Sequence, residues 1–267
     1  MTPVVTCLVP CFNEPPNILI ESLSSLAAQT LRDFECIVID ESSNEDTSLA
    51  CTSFCLSDSR FIYIRPSVRL GLAGSLNLGI ENAKSGLIAR FDSDDICQPE
   101  RLELQFKFLR QHLDIDVVGS AMIIIDDMGC QIGCRKYPLS HEDIVKRFIF
   151  ANAMAHPTTM FRRSILENPV VGYDATFKYA EDLEFWLRLL NNGAKFANLS
   201  STLVRYRQQV TYRNRENWIF NARARRKNLS RPYFFKKIIA ILGIAVWAYL
   251  PKEAQQFFFK LIQYRKK

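Results

Sequence analysis

The first hundred residues alternate between short apolar runs and segments with the periodicity of helices. The apolar runs, which we interpret as strands, are 4–9, 35–39, 61–64 and 87–91. The helical patterns between them lie near 17–28, 46–55 and 73–84. Such alternation is typical of right-handed βαβ crossovers, which place their strands side by side in one sheet. The sequence therefore predicts an α/β fold with a mostly parallel, Rossmann-like sheet flanked by helices.

From about residue 115 the pattern changes. Residues 117–125 form a long β-branched run, and 131–137 can return beside it as a hairpin after the turn residues at 126–129. Residues 181–191 predict a helix that ends at an Asn-Gly pair. Residues 202–207 predict an edge strand.

The net charge of +6 is unevenly divided along the chain. Residues 1–204 hold 18 lysines and arginines against 26 acidic residues, a net charge of −8, whereas 205–267 hold 16 against 2, a net charge of +14. This split indicates an acidic body with a basic tail that binds a polyanion, either nucleic acid or anionic lipid. We therefore predict one domain at 1–207 and a basic helical extension at 208–267.

The extension contains an apolar segment at 238–250 that stops before Pro251. Its thirteen residues are too few to cross a bilayer, which takes about 20. Lys236, Lys237 and Lys252 flank the segment and favour a helix lying in the membrane interface. A helix docked on the domain is the alternative.

The cysteines indicate the kind of cellular compartment in which the chain folds. Three pairs share a C-x₃-C spacing: Cys7 and Cys11, Cys51 and Cys55, Cys130 and Cys134. No CxxC pair or nearby histidine completes a zinc site, and the chain opens on a strand pattern rather than a secretory signal. We expect reduced, mostly buried thiols in a cytosolic protein.

Three carboxylates, Asp92, Asp94 and Asp95, follow the strand predicted at 87–91. Like charges this close repel one another, so the cluster needs a cation or several donors among them. The carboxyl ends of parallel strands are also where open α/β sheets bind ligands. Oxygen-only ligands suit Mg²⁺ or Mn²⁺ on a diphosphate. An acidic turn that caps the next helix is the alternative.

Other strand ends carry weaker signals. Asp40 can accept a hydrogen bond from a uracil N–H or a ribose hydroxyl, or simply cap the next helix. Phe12 can face a base, and Arg69, before a glycine-bearing helix start, can pair with a nucleotide. Neither G-x-G-x-x-G nor G-x-x-x-x-G-K-[ST] occurs, which argues against dinucleotide and P-loop sites.

Taken in order, these motifs resemble the family 2 glycosyltransferases, which have an A-type nucleotide-sugar fold. The matching segments are 9–14, 39–43, 77–80, 92–95, 155–162 and 180–187. The fourth corresponds to the D-x-D motif of the family. The resemblance covers residues 4 to about 207, and six motifs in order over that length make it specific.

The resemblance implies a role for each matching residue. The nucleotide-sugar site would consist of Pro10, Phe12, Glu14, Asp40, Arg69, Asp92 and Ser93. Asp40 would hold uracil, and Asp94 would bind Mn²⁺ or Mg²⁺, with Asp92 on the ribose or beside the metal. Many relatives carry a histidine near the phosphates where this chain has Gln209. Neutralisation of phosphate could then fall to Arg205 or Arg207.

On the acceptor side, the resemblance implies that Asp182 deprotonates the acceptor hydroxyl and that His156 and Glu181 lie nearby. A single base opposite the leaving group gives direct displacement with inversion, and the metal offsets the charge on the departing UDP. We expect Asp182 to be partly desolvated, with Glu181 raising its pKa. A pair of first-turn helix carboxylates is the alternative for 181–182.

The sequence thus predicts an inverting, metal-dependent enzyme that moves a hexose or N-acetylhexosamine from a UDP-sugar to a lipid-linked saccharide. The acceptor would be a polyprenyl-diphosphate carrier at the inner, cytoplasmic face of the plasma membrane, in bacterial O-antigen or capsule synthesis. No nucleic-acid partner is expected. The alternatives are nucleic-acid binding through the basic, aromatic tail, and a nucleotidyltransferase, whose usual glycine-rich basic signature is missing after the first strand.

Overall fold

The computed structural model describes residues 2–166, 172–208 and 214–251. The predicted alternation is confirmed. The elements of the first part are β1 (Val5–Cys11), α1 (Pro16–Ala27), β2 (Phe34–Asp40), α2 (Glu45–Ser57), β3 (Phe61–Ile64), α3 (Gly71–Asn82) and β4 (Leu87–Arg90). They are followed by β5 (Ile96–Cys97), α4 (Arg101–Gln111), β6 (Val117–Ile125), β7 (Gln131–Arg135), α5 (His141–Phe148), β8 (Met160–Arg162), α6 (Glu181–Asn191), β9 (Phe196–Arg207), α7 (Arg215–Lys227) and α8 (Phe234–Tyr249).

Local chemistry explains why the first elements form. All seven residues of β2 are buried, as expected for a strand covered by helices on both faces. Helix α1 begins at Pro16, where the missing N–H costs nothing. Helix α2 is capped by Asn44, whose side chain accepts from the backbone N–H of Asp46 at 3.0 Å. The loops that follow β1 and β2 are therefore short and fixed at both ends.

One nine-stranded sheet organises the chain in the order β3-β2-β1-β4-β8-β6-β9-β5, with β7 paired to β6. Strands β3, β2, β1 and β4 are parallel, and β9 is parallel to β6, whereas β8 runs antiparallel to both of its neighbours. In the β1–β2 register Cys11 lies beside Asp40. The carboxyl ends of β1, β2 and β4 therefore meet at one edge of the sheet.

The prediction of an edge strand at 202–207 was wrong. Strand β9 begins at Phe196 and lies between β6 and β5. Its register with β6 shifts next to Ser120 and Ala121. The polar residues Asn198, Ser200 and Ser201 interrupt the apolar pattern at this irregularity, so the first part of the strand was not recognised.

The core lies on both faces of the sheet because side chains alternate along each strand. In β1, Cys7 and Val9 join the cluster under α1 and α2, whereas Leu8 joins the cluster under α3 and α6. Trp186 is fully buried in the second cluster, as its position on the apolar stripe of α6 predicted. All eight cysteines are free thiols and six are buried, which confirms the expectation of mostly buried thiols.

Helix α7 packs against α6, with Ala224 and Arg225 buried. Helix α8 packs on α7, where the rings of Trp218 and Trp247 lie 6.3 Å apart. Within 2–166, 172–208 and 214–251, none of the helices has the length and apolarity needed to span a bilayer. The domain boundary at residue 207 and the membrane contact of 238–250 stay predictions.

Candidate functional site

The loops after β1 and β2 are joined to each other and to the start of α3. Asn13 adopts a left-handed conformation with φ 62°. Its side-chain oxygen accepts from the backbone N–H groups of Ser43 at 2.9 Å and Asn44 at 3.0 Å. Glu41 in turn accepts from the N–H of Gly71 at 3.0 Å. These hydrogen bonds join the loop after β1, the loop after β2 and the start of α3. We call the surface they form the rim.

Phe12 and Arg69 form an exposed cation–aromatic stack on this rim. The guanidinium carbon of Arg69 lies 3.8 Å from the centre of the Phe12 ring, and the ring is 40% exposed. Pro10, two residues earlier in β1, is half-buried. Glu14 accepts from the backbone N–H of Phe12 at 2.7 Å, which fixes the turn that presents the ring. The arrangement offers a planar surface on which a nucleobase can stack.

Asp40 ends β2 beside Cys11 and is fully buried. It accepts from the N–H of Ser42 and from the hydroxyl of Tyr63, both at 2.9 Å, and Arg65 lies 3.7 Å away. Burial raises the pKa of Asp40, but the hydrogen bonds from Ser42 and the other donors outweigh it and lower the pKa. A uracil contact requires exchange of one of these partners and stays a prediction.

The acidic residues that follow β4, Asp92, Asp94 and Asp95, form a second part of the site, which we call the acidic floor. Asp92 is paired with Arg90, whose side chain is buried. Burial, together with the charges of Asp92 and Glu14, raises the pKa of Asp94 to about 7. Asp95 accepts from the backbone N–H of Arg207 at 2.8 Å, while its Oδ2 has no hydrogen-bond partner in the described part of the chain. Ser93 is buried between them.

This donor set fits the predicted divalent cation. It consists of hard carboxylate oxygens, the ligands that Mg²⁺ and Mn²⁺ prefer. Burial, and then the charges of Asp92 and Glu14, raise the pKa of Asp94, and one buried oxygen of Asp95 lacks a partner among the described residues, so added positive charge is favourable here. Asp94 and Asp92 would hold the ion.

A second potential ligand group lies under the rim. Cys11, Asp40 and Cys51 each place one ligand atom within 4.8 Å of the others. Hydrogen bonding to Cys51 and burial keep the pKa of the Cys11 thiol above its usual range. A protonated thiol is a poor ligand, and Asp40 is already hydrogen-bonded, so this group suits a packed interior better than an ion.

A cleft of about 360 Å³ connects the rim with the acidic floor. Its lining residues are Phe12, Asn13, Glu14, Pro15, Asn17, Ile18, Asp94, Asp127 and Arg207. The guanidinium of Arg207 donates to Glu21 at 2.7 Å and to the carbonyls of Asp94 and Asp127 at 3.0 and 2.9 Å. Arg207 therefore links the acidic floor to β9. Gln209 lies outside the described residues.

On the opposite side, Asp182 is the second residue of α6. Ala180, just before the helix, adopts a left-handed conformation with φ 57°, which costs a residue other than glycine about 1 to 2 kcal/mol. Asp182 accepts from the side-chain amide of Asn152 at 2.6 Å and from the N–H of Leu183 at 2.7 Å. Burial, and then the charge of Asp182, raise the pKa of Glu181 to about 8.

The charge of Arg90 acts on both acidic groups. This positive charge lowers the pKa of Asp94 and Asp95 and also that of Glu181. It also adds to burial in lowering the pKa of His156. His156 is buried, with Nε2 at 2.9 Å from the hydroxyl of Tyr173. Its acceptor contact stays a prediction.

Two site residues were missed by the motifs. Arg90 was interpreted only as part of the strand before the acidic run. A charged residue in a strand predicted to be buried could have indicated that it pairs with the acidic residues after it. Asn152 carried no signal, because its partner lies thirty positions further along the chain.

This mostly parallel sheet with flanking helices is the fold of the A-type glycosyltransferases. The model of glycosyl transferase family 2 matches residues 6–168. The O-antigen biosynthesis glycosyltransferase WbnJ of Escherichia coli is 35% identical over 190 residues, which cover 70% of this chain and 72% of WbnJ. The chain belongs to glycosyltransferase family 2, as its motifs predicted.

Solved structures share the fold at low sequence identity. TarS of S. aureus (residues 1–349), in complex with UDP-GlcNAc, has a TM-score of 0.69 and 18% identity; the match covers 90% of this chain and 71% of that one. The mannosyltransferase PcManGT of Pyrobaculum calidifontis, in complex with GDP-Man and Mn²⁺, has a TM-score of 0.66 and 17% identity, with 98% and 81% covered. Enzymes of this family commonly use divalent metals.

Proposed function

We propose that this chain is an inverting, metal-dependent glycosyltransferase that moves a hexose or N-acetylhexosamine from a UDP-sugar to a lipid-linked saccharide. The observation that carries the proposal is the cleft of about 360 Å³ lined by both Phe12 and Asp94, with the charge of Arg90 acting on Asp94 and on Glu181 beside Asp182. Donor and acceptor chemistry would therefore share one site. WbnJ, named for O-antigen biosynthesis, supports a role in bacterial O-antigen or capsule synthesis.

The residues divide the reaction between them. A divalent ion held by Asp94 and Asp92 would supply positive charge to the departing diphosphate. Asp182 takes the proton from the acceptor hydroxyl as that oxygen attacks the sugar carbon. The hydroxyl attacks from the side opposite the nucleotide, so the new bond has inverted configuration. The fixed contacts of Asp182 with Asn152 and Leu183 hold the base in place for this step.

The rim supports a nucleotide donor. The stack of Phe12 on Arg69 offers an aromatic face to a base and a positive charge to its phosphates. TarS was solved with UDP-GlcNAc and PcManGT with GDP-Man, so the fold accepts either base. We assign uracil because Asp40 ends β2 beside Cys11, the residue before Phe12, and could accept from the uracil N–H in exchange for one of its present partners.

The surroundings of Asp182 support an anionic acceptor. Burial raises the pKa of Tyr137, the nearby arginines Arg135 and Arg147 lower it, and Asp182 raises it. Both arginines are exposed. The exposed guanidinium groups of Arg135, which also donates to Gln208 at 3.4 Å, and of Arg147 suit the diphosphate of a polyprenyl-diphosphate-linked saccharide.

Helix α8 supports attachment to an anionic membrane surface, at the inner, cytoplasmic face of the plasma membrane. Ala240 and Ala248 face α7, whereas the outward face is apolar. The exposed side chains recur every three or four residues and form one stripe: Phe235, Ile239, Leu242, Val246 and Tyr249. A water-facing helix normally shows polar residues there, so the stripe and the basic charge of the tail favour an interfacial position.

Nucleic-acid binding by the tail is the weaker candidate. Arg225 is buried and donates to the carbonyl of Ile149, and Lys227 is paired with the buried Glu184. These two basic residues are therefore not available to a polyanion.

The proposal can be tested by measuring nucleotide release from a panel of UDP- and GDP-sugars, with membrane lipid extract and either Mn²⁺ or EDTA. Asp94→Asn should lose turnover by more than about 10³-fold, since a Lewis acid contributes several kcal/mol. Asp182→Asn should still bind the donor but transfer no sugar. Asp114→Asn, at a surface pair with Lys195, is the matched control.

Full transfer by either active-site variant would overturn the proposed mechanism. Turnover of GDP-sugars alone would overturn the assignment of the donor.

A further inference from the structure

Asn152 lies in the loop between α5 and the short 3₁₀ turn at His156–Thr158. Its Nδ2 donates to Oδ2 of Asp182 at 2.6 Å, and its Oδ1 accepts from the backbone N–H of Met154 at 3.2 Å. Because a backbone N–H can only donate, it determines which end of the carboxamide is the oxygen. The amino end of Asn152 must therefore face the carboxylate.

The loop that carries Asn152 is held from both sides. Arg225 of α7 donates to the carbonyls of Phe148 and Ile149, the second at 2.9 Å. Asn198 of β9 donates to the carbonyl of Ala153 at 3.1 Å. Arg225 and Asn198 are both buried. Asn152 is thus fixed before any substrate binds.

We infer that Asn152 is a positioning residue for the catalytic carboxylate. The inference rests on the proposed function, in which Asp182 is the general base. A donor at 2.6 Å favours the ionised form of its partner, the form that can accept a proton. It also restricts rotation of the carboxylate, so that the base keeps its direction toward the acceptor hydroxyl.

Asn152→Asp tests this role without changing the size of the side chain. The oxygen that accepts from Met154 is retained, and only the donor facing Asp182 becomes an acceptor. We expect kcat to fall about 10- to 100-fold, the range typical of losses in acid–base positioning. The donor KM should stay within about twofold, and the acidic limb of the kcat–pH profile should move up by about one pH unit.

Asn152→Ala separates this role from a structural one. It removes both hydrogen bonds, so a loop that needs only the Met154 contact would be damaged by Ala and spared by Asp. A positioning role predicts that both variants lose kcat and that Asp gives the larger shift in pH. Asn192→Asp is the matched control, because Asn192 donates to the carbonyl of Arg188 at the other end of α6.

A second readout does not depend on turnover. In the chain labelled with ¹³C at aspartate carboxyl carbons, and with Asp182→Asn used to assign the signal, the titration of Asp182 should move to higher pH in Asn152→Asp and not in Asn192→Asp. An unmoved titration, or a wild-type kcat in Asn152→Asp, would overturn the inference. If the wild-type chain transfers no sugar, or Asp182→Asn remains active, the proposed function itself has failed.

Discussion

Arg90 and Asp92 form an ion pair at the carboxyl end of β4, and the Arg90 side chain is 4% exposed. Two nitrogens of Arg90, Nε and Nη1, have no hydrogen-bond partner among the residues described. The same cation acts on Asp94, Asp95 and Glu181. Arg90 therefore offsets part of the negative charge that the acidic residues concentrate in the site.

Replacing Arg90 by glutamine should destabilise the protein. Asp92 would lose its partner while remaining three-quarters buried, and breaking a buried ion pair costs about 3 to 5 kcal/mol. We expect the free energy of unfolding, measured by urea titration, to fall by about 2 to 4 kcal/mol, since Asp92 keeps some solvent contact. Arg90→Lys should recover part of the loss.

Arg110→Gln is the control for that substitution, because Arg110 is an exposed residue of α4. It should change the free energy of unfolding by less than about 0.5 kcal/mol. A similarly small effect of Arg90→Gln would show that the acidic site does not depend on this cation.

Removal of the Phe12 ring should weaken donor binding. Phe12→Ala deletes the surface that stacks on Arg69, and such stacking contributes about 1 kcal/mol. We expect the KM for the nucleotide-sugar to rise about 5- to 10-fold with kcat within about twofold. Leu56→Ala, at an exposed position of α2, should leave both constants unchanged. An unaltered KM for Phe12→Ala would remove the stack from the nucleotide site.

The sequence predicted the elements whose signals are local. The strands of the parallel half show buried apolar runs, and α6 has the predicted bounds because its apolar stripe and Asn-Gly ending are unambiguous. Helix α5 was missed because its eight residues contain only three apolar ones. The first half of β9 was missed because its polar residues pair at an irregular register.

The candidate site was predicted in outline for a different reason. The carboxyl ends of parallel strands meet at one edge, so motifs after β1, β2 and β4 had to converge. No such rule brings Asn152 to Asp182, because that contact depends on how the loop after α5 folds back onto α6. The full burial of Asp40 likewise follows from packing with Tyr63, which the strand pattern did not indicate.

The ion pairs between α7 and the body should make stability depend on pH. Asp174 accepts from Lys227 at 2.6 Å and from the N–H of Thr176 at 2.9 Å. Burial raises the pKa of Asp174, but Lys227 and Thr176 outweigh it and lower the pKa to about 2. Because the unfolded value is about 3.9, this carboxylate stabilises the fold above about pH 4 and the contribution is lost as the pH falls toward 2.

Asp174→Asn should therefore lower the free energy of unfolding by about 1 kcal/mol at about pH 7, allowing for solvent screening. The difference from the wild-type protein should shrink steadily below about pH 4. Urea titrations across this range, with Asp114→Asn as a surface control, measure the effect. A difference that stays constant with pH would mean that Asp174 acts through something other than its charge.

The apolar stripe of α8 should bind anionic vesicles. The double variant Leu242→Glu with Val246→Glu places two charges on the exposed face, and each should cost about 1 kcal/mol or more of interfacial binding through lost apolar area and repulsion. We expect at least a tenfold weaker association with phosphatidylglycerol vesicles in sedimentation. Leu49→Glu with Leu56→Glu, two exposed leucines of α2, is the matched control. Equal binding by both double variants would exclude the stripe as the contact.

The hydrogen bonds from Arg225 to the carbonyls of Phe148 and Ile149 limit how much of the carboxyl-terminal part can be removed. A chain that ends at residue 207 would lose Arg225, which holds the loop that carries Asn152, the residue that donates to Asp182. Such a protein could keep its nucleotide pocket and still lose transfer. Minimal versions built for engineering should therefore retain everything through α7.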